Sequence, residues 1–206
     1  MTLTEAKSAR GAVTRDQILD AAAGLIHLRG YHATSLDDVL RESGVGKGNF
    51  YYYFKSKEDL GYAIIDRVMR GFLERTLAPA FADPGGDPIA QIHTFLDRVL
   101  EAQRRRNCVG GCVMGNLASE LSDVHEGFRQ RLAQIFVQWR LQLTEALRRG
   151  QSAGRLRGDC DPGRTAQFLV AALEGSILMS KVSRDIAVME RCVEELKRHL
   201  TLYTAN

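Results

Sequence analysis

Five aromatic residues in succession, Phe50-Tyr51-Tyr52-Tyr53-Phe54, stand between Gly44-Val45-Gly46-Lys47-Gly48 and the polar run Lys55-Ser56-Lys57-Glu58-Asp59. On a helix that advances about 100° per residue, Phe50 and Phe54 share one face at i and i+4, while Asn49, Tyr52 and Tyr53 share the opposite one. Phenylalanine buries without stranding a polar group, so Phe50, Phe54 and Tyr51 read as packing residues. Tyrosine hydroxyls and an Asn amide need partners, which duplex phosphates and base edges supply in number. A short helix of this kind suits a DNA groove.

The flanking signals make a helical unit around it. Ser35-Leu36-Asp37-Asp38 is a serine N-cap with an acid three residues on, a variant of the capping box, opening a helix to about Glu42 that Gly44 ends. Lys47 and Gly48 then begin a second helix, which is the helix-turn-helix arrangement with a glycine-containing turn. Upstream, Thr14-Arg15-Asp16-Gln17 is a capping box, followed by Ile18, Ala22, Leu25 and Ile26 at helical spacing up to Gly30. Downstream, Ser56 caps a helix carrying Leu60, Ile64, Val68 and Phe72, expected to connect this unit to a second, larger domain.

Gly30-Tyr31, Thr34-Ser35, Val39, Gly44-Val45, Lys47 through Phe54 and Lys55-Ser56-Lys57-Glu58 together resemble, in order and spacing from Thr14 to Leu60, the DNA-binding domain of the TetR family of transcriptional regulators. The resemblance implies an all-α protein. Residues 1–57 would form a three-helix helix-turn-helix DNA-binding domain, and residues 58–206 a helical ligand-binding and dimerisation domain. It implies a homodimeric repressor that holds double-stranded operator DNA and releases it on binding a small-molecule inducer. Tyr53 departs from the pattern, since members often place histidine there. Carried over by position, Thr34 and Ser35 match the phosphate-contacting start of the first helix of the motif. Lys47, Gly48 and Asn49 match base-reading positions, where Lys suits guanine and Asn adenine, with Tyr52 as a contributor. Tyr51, Tyr53 and Lys57 match positions that hold the DNA backbone.

Composition agrees. The net charge is +3, and residues 1–60 carry eight Lys or Arg against eight Asp or Glu, so cations must be placed rather than massed. Lys7, Arg10 and Arg15 form a candidate basic arm, although an exposed basic tail is usually just solvated. With 45% hydrophobic residues a core can form, yet no apolar run reaches the roughly 18 residues of a membrane span. The start lacks the hydrophobic segment of a secretion signal, so the chain is expected to be cytoplasmic.

The remainder reads as helices punctuated by Asp83-Pro84-Gly85-Gly86-Asp87-Pro88, Gly110-Gly111, Ser122-Asp123, Asp161-Pro162 and Asp185. Phe168, Ala171, Ala172, Gly175 and Leu178 form one late apolar stripe, and Met189, Cys192, Val193, Leu196 and Leu200 another. Either stripe could be internal core. The resemblance implies that the last two helices form a two-fold dimer interface, and a two-fold protein suits two half-sites roughly 34 to 36 Å apart.

Cys112 follows paired glycines at an expected helix start, where exposed amides would stabilise a thiolate and lower its pKa. The segment Cys108–Leu121, with Ser180–Arg184, resembles a TetR branch that includes electrophile- and oxidant-responsive repressors; there the matching cysteine is the sensor and a lysine lies close, which implies Cys112 and Lys181. A buried, inert cysteine is the plain alternative. Phe136 and Trp139, with Asn116, are candidates for the wall of an inducer pocket, or simply core. Cys108 and Cys112 could pair only under oxidation.

Other chemistries fit poorly. Gly46-Lys47 lacks the Ser or Thr and the preceding strand of a phosphate loop, no βαβ alternation suits a dinucleotide, and Cys108 and Cys112 lack a second metal-ligand cluster. No cofactor is implied. The competing class is a helical small-molecule-binding protein or enzyme, for which Cys112, Glu120 and His125 could be imagined as partners, but no catalytic spacing is present.

Overall fold

The computed structural model describes residues 3–83 and 85–205, with side chains from residue 12 onward. Among the described residues the regular structure is helical, apart from one isolated bridge between Leu156 and Thr204. The chain divides into two compact units, residues 1–70 with 116–129, and residues 71–115 with 130–206.

The first unit holds α1 (Leu3–Arg29), α2 (Leu36–Ser43), α3 (Lys47–Tyr53) and most of α4 (Lys57–Phe72). α1 runs straight through Thr14, so the capping box read there does not start the helix. The preceding residues are mostly strong helix formers and need no stop at that point. The side chains of Lys7 and Arg10 lie outside the described residues. Arg15 is described, and its guanidinium stands 5.2 Å from the centroid of the Phe54 ring, a packing role within the unit.

α2 forms as its residues dictate. The Ser35 hydroxyl accepts from the Asp38 amide at 3.1 Å, the Asp38 carboxylate accepts from the Ser35 amide at 3.0 Å, and Gly44 closes the helix at φ +67°. Those hydrogen bonds from Ser35, aided by Arg41, hold the Asp38 carboxyl at about 2. α4 starts where Ser56 caps the Asp59 amide at 3.0 Å. Its Arg67 then bonds Asp16 at 2.8 Å and Asp20 at 2.7 Å on α1, and its Tyr62 stacks on Phe128 at 4.6 Å. These ties carry α4 with the N-terminal unit. By its contacts the first compact unit runs to Arg70 and includes 116–129.

A π-helical segment, Leu73–Leu77, and the short α5 (Ala78–Ala80) come next. α6 (Pro88–Arg105) begins at its Asp87 cap as expected, while Pro84 lies outside the described residues. α7 (Val113–Leu121) precedes α8 (Glu126–Ser152). α8 starts later than the Ser122-Asp123 signal suggests. The His125 amide still bonds to Leu121 O at 2.9 Å, and the His125 ring accepts from the Phe128 amide at 3.3 Å, acting as the cap. α9 (Pro162–Ser183) and α10 (Ile186–Thr201) are capped by Asp161 and Asp185. α10 packs on α9 and α6, and Arg104–Glu190 at 2.6 Å and Lys197–Asp97 at 2.5 Å tie it to α6.

Phe50 is fully buried and Phe54 is 1% exposed, which makes them the anchors of α3. Phe50→Ala is expected to cost about 3–5 kcal/mol. Chemical denaturation, with amide exchange over 36–54, should show this loss in the N-terminal unit.

Candidate nucleic-acid interface and sensor cluster

α3 is seven residues long, and its two faces differ sharply. Phe50 and Phe54 go inward, with ring centroids 5.7 Å apart. Lys47, Gly48 and Asn49 are exposed, Tyr52 is 80% exposed, and Tyr53 is half-buried with its ring edge-on to Tyr52 at 4.9 Å. Tyr51 is no core residue: half its surface is exposed, and it meets Phe50 only edge-on at 5.3 Å. The outer face thus presents an ammonium, an amide and tyrosine side chains around a backbone bared by Gly48. This set offers both donors and acceptors to base edges and phosphates.

The other expected contacts separate. Ser35 is exposed, although its hydroxyl also donates to Asp38 at 2.6 Å. Thr34 is fully buried, and its hydroxyl donates to Gly30 O at 2.8 Å, so its side chain is spent on the turn before α2 and not offered to phosphate. Lys57 is half-buried with its ammonium 4.4 Å from the Tyr31 ring centroid. Burial lowers its pKa while the Glu120 carboxylate pulls the other way. Burial, followed by the Glu58 charge, pushes Tyr31 up to about 12.

In the second unit, Cys112 is half-buried just ahead of α7, and its thiol donates to the carboxylate of Glu174 on α9. The surroundings of this thiol oppose the lowering expected at a helix start. Burial pushes its pKa well above the ordinary thiol range, and the Glu174 charge pushes further. The amides of Gly115 and Met114 pull the other way and lose. The helix terminus is present, but desolvation and a neighbouring anion outweigh it. Burial in turn raises the Glu174 pKa.

Two glycines admit this packing. A Cβ at Gly115 would stand 2.7 Å from Glu174 Oε2, and one at Gly111, where φ is +72°, would stand 2.9 Å from Lys181 Cδ. Glu174 and Lys181 are seven residues apart and so share a face of α9, bringing both beside Cys112's neighbours. Glu174 was legible only as part of this i, i+7 pair, a weak signal. Trp139 is 5% exposed, its ring centroid 5.4 Å from Phe136 and 4.6 Å from Phe72, and its indole N–H is buried without an acceptor. Phe136 and Trp139 belong to the C-terminal unit, whereas Asn116 belongs to the N-terminal one.

The late apolar stripes also resolve. Met189, Val193, Leu196 and Leu200 are buried within the protomer, so that stripe is internal core, with Cys192 half-buried beside it. On α9, Phe168, Leu178, Met179 and Val182 are 46 to 77% exposed.

Comparison with known proteins matches residues 18–64 to the model of the bacterial regulatory proteins of the tetR family, and residues 88–196 to a tetracyclin repressor-like C-terminal domain. The chain belongs to the TetR family. It is 34% identical to an uncharacterized HTH-type transcriptional regulator in the lacX 3′ region of Lactococcus lactis subsp. lactis, over 89% of this chain and 91% of that protein. It is 33% identical to the transcriptional regulator AcuR of Cereibacter sphaeroides, over 88% of this chain and 84% of that one. The structure of Escherichia coli NemR in its reduced form superposes with a TM-score of 0.82 at 27% identity, covering 93% of this chain and 97% of that chain. As a TetR-family member it is a ligand-responsive, DNA-binding transcriptional regulator. The family match supports a regulator, not an enzyme. No helix among the described residues is long and apolar enough to cross a membrane.

With burial and the neighbouring Glu174 charge both raising the Cys112 thiol, its alkylation by iodoacetamide at pH 7 should be at least ~10-fold slower than that of an unstructured cysteine peptide. The rate should climb without a plateau to about pH 9, followed by peptide-level mass spectrometry. A plateau near neutrality would reveal a resting thiolate and contradict the assigned burial.

Proposed function

We propose that the protein is a repressor in which Lys47, Gly48, Asn49 and Tyr52 read base edges, while Ser35, Tyr51 and Tyr53 hold the phosphate backbone and Lys57 adds charge from beside Tyr31. The outer face of α3 carries this assignment: it is polar, aromatic and exposed, and the buried Phe50 and Phe54 fix its direction. Thr34 contributes by shaping the turn. Two protomers paired through α9, with α10 alongside, present two such faces to successive major grooves. The exposed Phe168, Leu178, Met179 and Val182 favour that pairing, since a single stretch of helix rarely leaves so many large apolar side chains in water without a partner.

Release follows from a small molecule bound in the C-terminal unit, where Trp139 offers an unpaired N–H beside Phe136 and Phe72. Inducer binding shifts the dimer toward a state in which the two α3 helices no longer fit their half-sites. A second reading makes Cys112, with Lys181 nearby, the target of an electrophile; the likeness to NemR, solved in a reduced form, favours it. Burial of Cys112 and the Glu174 carboxylate beside it favour the neutral thiol and give binding without covalent chemistry the first place.

Two variants test these assignments. Asn49→Ala should cost about 1–3 kcal/mol on a selected operator and relax preference at one base position. Tyr51→Phe should weaken cognate and random duplexes alike, as fluorescence anisotropy would show. Equal losses on all duplexes for Asn49→Ala would remove its base-reading role. Leu178→Glu should convert the dimer to monomer in analytical ultracentrifugation and abolish tight operator binding; a persisting dimer would place the interface elsewhere.

A further inference from the structure

α7 is one continuous helix, Val113–Leu121, whose first residues belong to the C-terminal unit and whose last belong to the N-terminal unit. At its beginning, Gly115 lies against Glu174 and directly succeeds the Cys112 cluster. At its end, the Glu120 carboxylate accepts from the Tyr31 amide at 2.8 Å through Oε2 and from the His32 amide at 2.6 Å through Oε1. The His32 Nδ1 lies 2.9 Å from Oε1. These are bonds across 88 and 89 residues of sequence, made to the turn that joins α1 to α2.

The turn is built to receive that carboxylate. Gly30 sits at φ +92°, and a Cβ on it would stand 3.0 Å from Glu120 Oε2, so a side chain there would crowd the acceptor. Thr34, further along the same turn, is tied to Gly30 O and leads directly into the Ser35 cap of α2. The two amides point into the α7 carboxylate instead of into the helix, and the amide bonds hold that carboxylate below its usual range even though burial pushes it up. Each oxygen has one amide to satisfy. Displacing α7 by about 1 Å would lengthen both bonds past useful geometry and leave both donors unmet.

We propose that Glu120 is the coupling residue of this regulator: its carboxylate latches α7 to the Gly30–His32 turn, so that a displacement of α7 started at its Cys112–Gly115 end re-seats the turn and with it α2 and α3. The proposal rests on the reading of the chain as a ligand-responsive DNA-binding regulator. It adds the side chain through which the response passes. From Gly115 to Glu120 is five residues, about 7.5 Å of helix rise, short enough for the helix to move as a rigid rod. Gly115 and Glu120 thus belong to one continuous helix.

The test uses full-length protein and a duplex obtained by selection from random sequence, with hydrogen–deuterium exchange of residues 113–121 as the readout. In the wild type, saturating duplex should slow exchange across 113–121 by roughly 10-fold, within the range of ordinary coupling between sites. In Glu120→Ala, duplex should still bind selectively while the effect on 113–121 falls below about 2-fold. Glu120→Gln keeps one carbonyl acceptor but turns an NH2 toward the other amide, and should show a partial loss; it serves if the alanine variant melts early. His32→Ala removes the ring contact alone and should retain the effect. Unchanged slowing in both Glu120 variants, or none in the wild type despite selective binding, would overturn the latch alone. Failure to select any duplex would overturn the regulator reading and the latch together.

Discussion

A helix of seven residues does not hold its shape in water by its own hydrogen bonds, because the cost of the first turn is spread over too few further bonds. α3 exists because Phe50 and Phe54, one turn apart, are taken fully into the core formed by its neighbours. The same burial decides which way the helix faces. Once the two phenylalanines point inward, Asn49 and Tyr52 have nowhere to go but outward. The stability of α3 and the direction of its outer face are therefore set by one pair of residues, and the short connections around α3 only have to deliver it to the core.

The C-terminal unit shows how two local effects compete for one group. The start of a helix favours an anion, which by itself would draw the proton from Cys112. Loss of water around the sulfur and a carboxylate in contact with it favour the neutral thiol, and these prevail. A dipole effect worth at most a couple of kcal/mol at a partly buried terminus does not offset desolvation with a like charge alongside. At Glu120 the balance tips the other way. Burial again opposes the charge, but two backbone amides aim directly at the carboxylate and keep it ionised.

The helix-turn-helix and its caps were legible in sequence because they are local: Ser35 with Asp38, Gly44, Ser56 with Asp59, and the spacing of Phe50 and Phe54 all act within a turn or two. The all-helical class and the late caps at Asp87, Asp161 and Asp185 were legible for the same reason. What the sequence hid was non-local. Thr34 looks like a free hydroxyl until the turn folds it onto Gly30, and the capping box at Thr14 carries no mark showing that a helix passes through it. The proximity of Glu174 to Cys112 and of Glu120 to Tyr31 joins residues more than 60 positions apart, which periodicity does not register. The apolar stripe on α10 was ambiguous for a related reason, since a core face and an interface face have the same pattern.

The proposed function turns on the outer face of α3, presented twice by a two-fold dimer, reading sequence. Selection of bound duplexes from a random pool tests it most directly, since it needs neither the inducer nor a known operator. An inverted repeat whose half-site centres lie one helical turn, or a multiple of it, apart should be enriched. A pool that stays random after repeated rounds, with binding governed by salt alone, would contradict it.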